Sequence, residues 1–138
     1  MESLQTRRED ILELSPLKKL KTILMKTASL IKDLEYNQNK PAVQILLTTE
    51  SSKEIRIAMK RDQVMKEHKT PYPIVVEIFE GKIAFGVNGV IHNLEKGDLV
   101  ALEGHVPHDL LALEDSTVRL SLSIADTAGR VKEVADKS

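Results

Sequence analysis

KIAFGVNGVIHNLEKGDLVAL, residues 82–102, reads as three short strands and two turns. Asn88-Gly89 sits between the apolar runs Lys82–Val87 and Val90–Leu94. A two-residue hairpin turn needs positive φ at both central positions, and asparagine and glycine tolerate this best. Gly97 then punctuates a second turn before Leu99–Leu102. Strands joined so tightly pair as antiparallel neighbours, because a parallel connection needs a crossover of a dozen or more residues.

The same period continues on both sides. Upstream, Ile55, Ile57 and Met59 alternate with Glu54, Arg56, Ala58 and Lys60. Downstream, Val118, Leu120, Leu122 and Ile124 alternate with Arg119, Ser121 and Ser123. Side chains of a strand project to opposite faces in turn, so each pattern predicts one face toward a core and one toward water. Pro73–Glu80 and His108–Leu113 supply further short strands, and Gly81 and Gly104 mark other turns. Many short strands at close spacing with no helices between them predict a sandwich, jelly roll or barrel.

Residues 1–40 follow a different rule. Ser15-Pro16 offers an N-cap and a first helical residue, and Leu17, Leu20, Ile23, Leu24, Ile31 and Leu34 recur at three and four residues. The spacing predicts a helix from about Pro16 to Glu35, roughly 30 Å long at 1.5 Å per residue. Its basic residues Lys18, Lys19, Lys21 and Lys32 fall mostly off the apolar stripe. Such a stripe is expected to pack on its own barrel or on a sister subunit, with a membrane surface the lesser alternative. Asn37–Pro41 then breaks the pattern with turn formers. The division expected is an N-terminal helical extension over 1–40, a β-barrel over 41–126, and a C-terminal tail over 127–138 that is frayed or a short helix.

Composition narrows the function classes. At 138 residues the chain suffices for one domain, and 41% apolar with 30% charged residues suits a folded protein. It contains no cysteine, which removes disulfides, thiolate metal sites and a cysteine nucleophile, and which agrees with a cytoplasmic location. Arg7, Arg8, Glu9 and Asp10 interrupt the region that a secretory signal would keep apolar. No apolar run approaches the roughly 20 residues needed to cross a bilayer, so no membrane association is expected. A net charge of −1 and only Tyr36, Tyr72, Phe79 and Phe85 as aromatics argue against nucleic acid.

Two separated segments resemble the motifs of the cupin superfamily. The first is Met65-Lys66-Glu67-His68-Lys69-Thr70-Pro71 followed by Val75–Lys82, which is similar to the first cupin motif ending in its glycine turn. The second is Asn93–Val100, then Val106-Pro107-His108, then Ala112–Ser116. The resemblance covers residues 55–124. It implies a single antiparallel cupin barrel (a double-stranded β-helix or jelly roll) with the N-terminal helix as an extension to it. It implies a homodimer as well, for which the helix stripe is an independent motive.

The family's metal site takes two histidines one residue apart and a glutamate from the first motif, with a further histidine from the second. Carried over residue by residue, His68 takes the first position, Thr70 the second, Ile74 the glutamate position and His108 the last. A neutral hydroxyl and an aliphatic chain are poor ligands for a divalent ion. What remains for zinc, nickel, iron or manganese is a weak site or none, built on His68 and His108 with His105 or Glu77 as lesser candidates. The alternation places Glu77 on the outer face unless a bulge changes its parity. His105 reads as a turn residue and His92 as surface.

The expected function is therefore a small-molecule-binding or sensing cupin with a pocket at His68, Thr70, Ile74 and His108 and without the usual catalytic metal. The alternative is a small metal-dependent enzyme of the dioxygenase or isomerase class.

Overall fold

The structure, a computed structural model, describes residues 24–125 and 128–138. Among the described residues nine strands, β1 (Ala42–Thr48), β2 (Ser52–Met59), β3 (Val64–His68), β4 (Ile74–Glu80), β5 (Lys82–Val87), β6 (Val90–Glu95), β7 (Leu99–Leu102), β8 (His108–Ala112) and β9 (Ser116–Ser123), precede one helix, α1 (Ala128–Lys137). They form two sheets, β1-β2-β9-β4-β7 and β3-β8-β5-β6, and every pairing is antiparallel. The chain is thus mainly β, as the alternation predicts.

Alternation also explains which residues meet inside. β9 lies between β2 and β4, and its register sets Val118 between Ile57 and Ile78, and Leu120 between Ile55 and Val76. These six side chains are buried and face Met65, Ile83, Phe85 and Leu110 of the smaller sheet. Each contributes about 1.5–3 kcal/mol by leaving water. The hairpin at Asn88-Gly89 forms as expected, with positive φ at both residues and Val87 paired to Val90. Gly81 is required by both backbone and space. Its φ is +94°, and a Cβ there would stand 2.5 Å from the Asp115 carbonyl oxygen.

The ends of the chain depart from the sequence reading. Of the helix expected over Pro16–Glu35, residues 16–23 and the Ser15 cap lie outside the described residues, and 24–35 are not helical. Ser29 Oγ accepts the N–H groups of Ile31 and Lys32 at 3.1 and 2.9 Å, and Asp33 takes a φ of +55°. The carbonyls that a helix would use are taken elsewhere. The Arg56 guanidinium, buried on the outer face of β2, donates to the carbonyls of Ser29, Lys32 and Asp33 at 3.0–3.2 Å and to Gln44 Oε1 at 2.6 Å. The segment is a strap tied to the large sheet, and its stripe residues Leu24 and Ile31 are 80% and 68% exposed.

The C-terminal tail is the short helix of the two alternatives, and it is no appendage. Val131 and Ala135 of α1 are each 2% exposed and belong to the hydrophobic core. Ser138 Oγ accepts the Lys66 N–H of β3 at 2.8 Å, and Lys40 pairs with Asp136 at 2.6 Å. α1 therefore packs on β3 and β1 and covers one end of the space between the sheets. Among the described residues no helix is long and apolar enough to cross a membrane.

Candidate functional site

β3 and β8 are neighbours, and their register sets His68 opposite His108. His108 opens β8 on the inward face, in step with Leu110 and Ala112. His68 stands three residues after the inward Met65, a spacing that strict alternation would turn outward. An irregularity between Met65 and His68 restores the parity, which is what a bulge does. The two rings lie 4.3 Å apart between centroids at a tilt of 57°, and Phe85 of β5 stacks on His108 at 5.7 Å.

Each imidazole is oriented by its own chain. His68 Nδ1 lies 2.7 Å from the Lys66 carbonyl, and His108 Nδ1 lies 2.9 Å from that of Val106. A carbonyl oxygen only accepts, so both Nδ1 atoms carry the proton and, in a neutral ring, Nε2 keeps its lone pair. Burial drives His68 down from 6.5 to about 4. The Lys66 bond and Asp109 oppose that fall, while His108 and Arg130 reinforce it. Burial lowers His108 as well, against the Val106 bond and Asp109 and with Arg130. Both rings are neutral at pH 7, and each offers one acceptor nitrogen.

A cavity of about 20 Å³ lies beside the pair, lined by eight apolar residues together with His68, His108 and Arg130. That volume suits a single water molecule. Ile74, at the position of the family's glutamate, is part of its wall, and Arg130 and Val131 of α1 close it. The larger hollows, about 510 and 520 Å³, are open troughs on the outer side. They are lined by the 26–37 strap and the large sheet, around Arg56 and Arg119 respectively.

The remaining sequence candidates fall elsewhere. Thr70, expected in the pocket, is buried at 2% exposure but does not line the cavity, and its carbonyl accepts the His105 N–H at 2.6 Å. His105 is exposed on the turn after β7 with a φ of +67°. Gly104 beside it admits no side chain, since a Cβ would stand 2.5 Å from the Pro71 carbonyl oxygen. The His105 N–H bond to the Thr70 carbonyl joins the two turns, and the His105 side chain is left exposed. Glu77 is on the outer face of β4, where Arg119 Nε donates to it at 2.8 Å and Arg119 also donates to Glu54 at 2.7 Å. It is an ion-pair partner outside the barrel, as the alternation requires. His92 is exposed on β6.

The described residues alone do not complete a divalent-metal site. Two lone-pair nitrogens are good donors, but among the described residues no group of three histidine, cysteine or carboxylate side chains comes together, and a guanidinium shares the cavity wall. Arg130 is the residue that sequence reading missed. Its signal was present in the three-and-four spacing of Val131, Val134 and Ala135, which marks a helix with one buried face.

No protein-family model matches the chain, and no curated protein matches it. Solved structures do. An RmlC-like cupin from Desulfovibrio desulfuricans superposes with a TM-score of 0.67 at 18% identity, covering 72% of this chain and 96% of that one. KdgF from a Halomonas species gives 0.64 at 15% identity over 77% and 99%. A conserved protein of unknown function from Streptococcus pyogenes gives 0.63 at 17% identity over 74% and 90%. Likeness at such identities speaks for architecture and not for a shared reaction. Two antiparallel sheets in this strand order, an inward histidine pair at one end and these superpositions lead to one assignment: the chain has the RmlC-like, double-stranded β-helix fold of the cupin superfamily.

Proposed function

We propose that this protein binds a small molecule at the His68–His108 pair without a resident catalytic metal, with α1 acting as the cover of the site. The observation that carries the reading is the pair itself. Two imidazoles oriented by backbone carbonyls and 4.3 Å apart occupy the end of an otherwise apolar core. A core gains nothing from such groups, because each polar side chain brought out of water must be compensated by a hydrogen bond. Convergent polar groups in an apolar concavity are the usual form of a ligand site. The cavity under α1 holds no more than a water, so a ligand enters as the helix lifts. That motion gives a binding event a conformational readout, which is what a sensing cupin needs.

The test is a ligand screen by thermal shift on the full chain and on the double variant His68→Ala/His108→Ala, together with metal analysis of protein purified without an affinity tag. Stabilisation of the parent that the double variant loses supports the reading. Near-stoichiometric transition metal in the parent, lost in the double variant, defeats it in favour of a metal-dependent enzyme. The Nε2 lone pairs, being in the form that ligates, are the observation behind that second reading.

A further inference from the structure

A neutral imidazole among apolar side chains has two nitrogens to match, and the fold matches one in each ring. His68 and His108 both spend Nδ1 on a carbonyl two residues back in the chain, and among the described residues these are the hydrogen bonds of the two rings. Nε2 of each ring is left as a lone-pair acceptor. Two acceptors cannot match each other, because neither carries the proton that a hydrogen bond shares. The register of β3 on β8 nevertheless sets the rings side by side, with centroids 4.3 Å apart. A species that donates twice would satisfy both.

The space beside the rings fixes the size of that species. Both rings stand in the wall of the cavity of about 20 Å³, which admits one water and nothing larger, and eight apolar side chains of the same wall offer neither donor nor acceptor. Resting on the reading of this end of the barrel as a binding site, we propose that the cavity is the site of a single ordered water, which donates one hydrogen to His68 Nε2 and the other to His108 Nε2 and so ties β3 to β8 beneath α1. A metal ion is the other species that two lone pairs suit. It needs further ligands, and among the described residues no third histidine or carboxylate gathers at the pair. Alcohols and amides donate as well, but their carbon bodies exceed the closed volume.

The bridge has two consequences. The water fixes each ring from the side opposite its backbone carbonyl, so both tautomers are held at both ends. Val131 of α1 is part of the cavity wall and is buried, so the water leaves only as the helix moves, and its residence reports the opening of the cover. A molecule that enters while the helix is lifted must return both donations, since displacing an ordered water without replacing its hydrogen bonds loses affinity. The pair thereby favours hydroxyl and N–H groups over acceptors, which would face two lone pairs.

Nuclear magnetic resonance of the isotopically labelled full chain at pH 7 tests the site, with water itself as the probe. Long-range proton–nitrogen correlations should place the proton on Nδ1 and the lone pair on Nε2 in both rings, and a proton on Nε2 of either ring overturns the bridge. Cross-relaxation from the water line to the carbon-bound ring protons of His68 and His108 should carry the sign of a water held for longer than molecular tumbling. Absence of that signal in the parent overturns the site. His108→Phe keeps an aromatic ring beside Phe85 and removes one acceptor, so the signal at His68 should be lost; His68→Phe, read at His108, takes its place should the first variant not fold. Persistence of the signal in the variant overturns the bridge, because its source would then not need both rings. Near-stoichiometric transition metal held by the pair overturns the water in favour of the ion. The thermal-shift screen is decided separately: ligand stabilisation without a water signal removes the water and keeps the ligand reading.

Discussion

Acidification should destabilise this fold through His68, and by an amount that the structure sets. The imidazole titrates at 6.5 in an unfolded chain and at about 4 in the fold, so between those values the unfolded chain takes up a proton that the folded one refuses. Stability is complete above pH 6.5 and falls as the pH drops through the window toward 4. Each pH unit is worth about 1.4 kcal/mol, which over roughly 2.5 units sets a ceiling near ~3.4 kcal/mol. His68 stands at the mouth and is half-buried, and solvent there screens the loss to about 1–2 kcal/mol. The groups that face it are His108 across the β3–β8 ladder, Arg130 from α1 and Asp109 from β8, of which the first two work in the same direction and the last opposes. Urea denaturation at pH 7.5, 6, 5 and 4.5 on the parent and on His68→Gln isolates the effect, because carboxylates that titrate near pH 4 are common to both. The parent should lose about 1–2 kcal/mol more than the glutamine variant. Parallel pH profiles for the two proteins would refute the burial of this ring as described.

Three further perturbations address the elements around the site. Arg56→Met removes the donor that holds the Ser29, Lys32 and Asp33 carbonyls, and it should cost about 2–4 kcal/mol while exposing residues 24–37 to limited proteolysis well before the barrel. Protease resistance equal to that of the parent would show that the strap is held by something else. Val131→Ala deletes two buried methyl groups under α1 and should cost about 2 kcal/mol, with faster amide exchange in α1 than in β9. Uniform acceleration across both elements would show that α1 opens only with global unfolding, and the cover would not be a separable part. Gly81→Ala sets a Cβ against Ser116 and Asp115 at a φ of +94°, and a loss of more than about 2 kcal/mol is expected in the same urea assay.

The barrel was legible because its signals are local. The Asn88-Gly89 turn, the alternation of β2 and β9 and the glycine at 97 each state a backbone requirement within a few residues, and the structure meets them with shifts of one or two residues at strand ends. β4 begins at Ile74 because Pro73 has no N–H for the ladder. The helix expected at the N-terminus had a local signal too, but one long-range partner overrode it. Arg56, more than twenty residues downstream, takes the carbonyls that the last helical turns would need, and a serine and an asparagine-like turn at Asp33 suffice to divert the chain. Helical spacing states only where an apolar stripe would lie, and it cannot report that an arginine on a neighbouring sheet will claim the backbone first.

The site divides along the same line. His68 and His108 were found through motif order, and the register of β3 on β8 brings their rings together only because a bulge after Met65 corrects the parity. Glu77 remained outside because β4 runs through that position without a bulge of its own. Arg130 lay beyond the motifs and in a stretch whose low apolar content read as a tail, although two buried contacts are enough to dock a helix that large sheets already flank. Ile74 and Arg130 stand in the wall beside the two imidazoles, one from β4 and the other from α1, so the surroundings of the pair come from elements far apart in the chain. Motif order finds the two imidazoles, but the burial that lowers their affinity for a proton is set by those distant elements, and that is why the chemistry of the pair was not legible in the sequence.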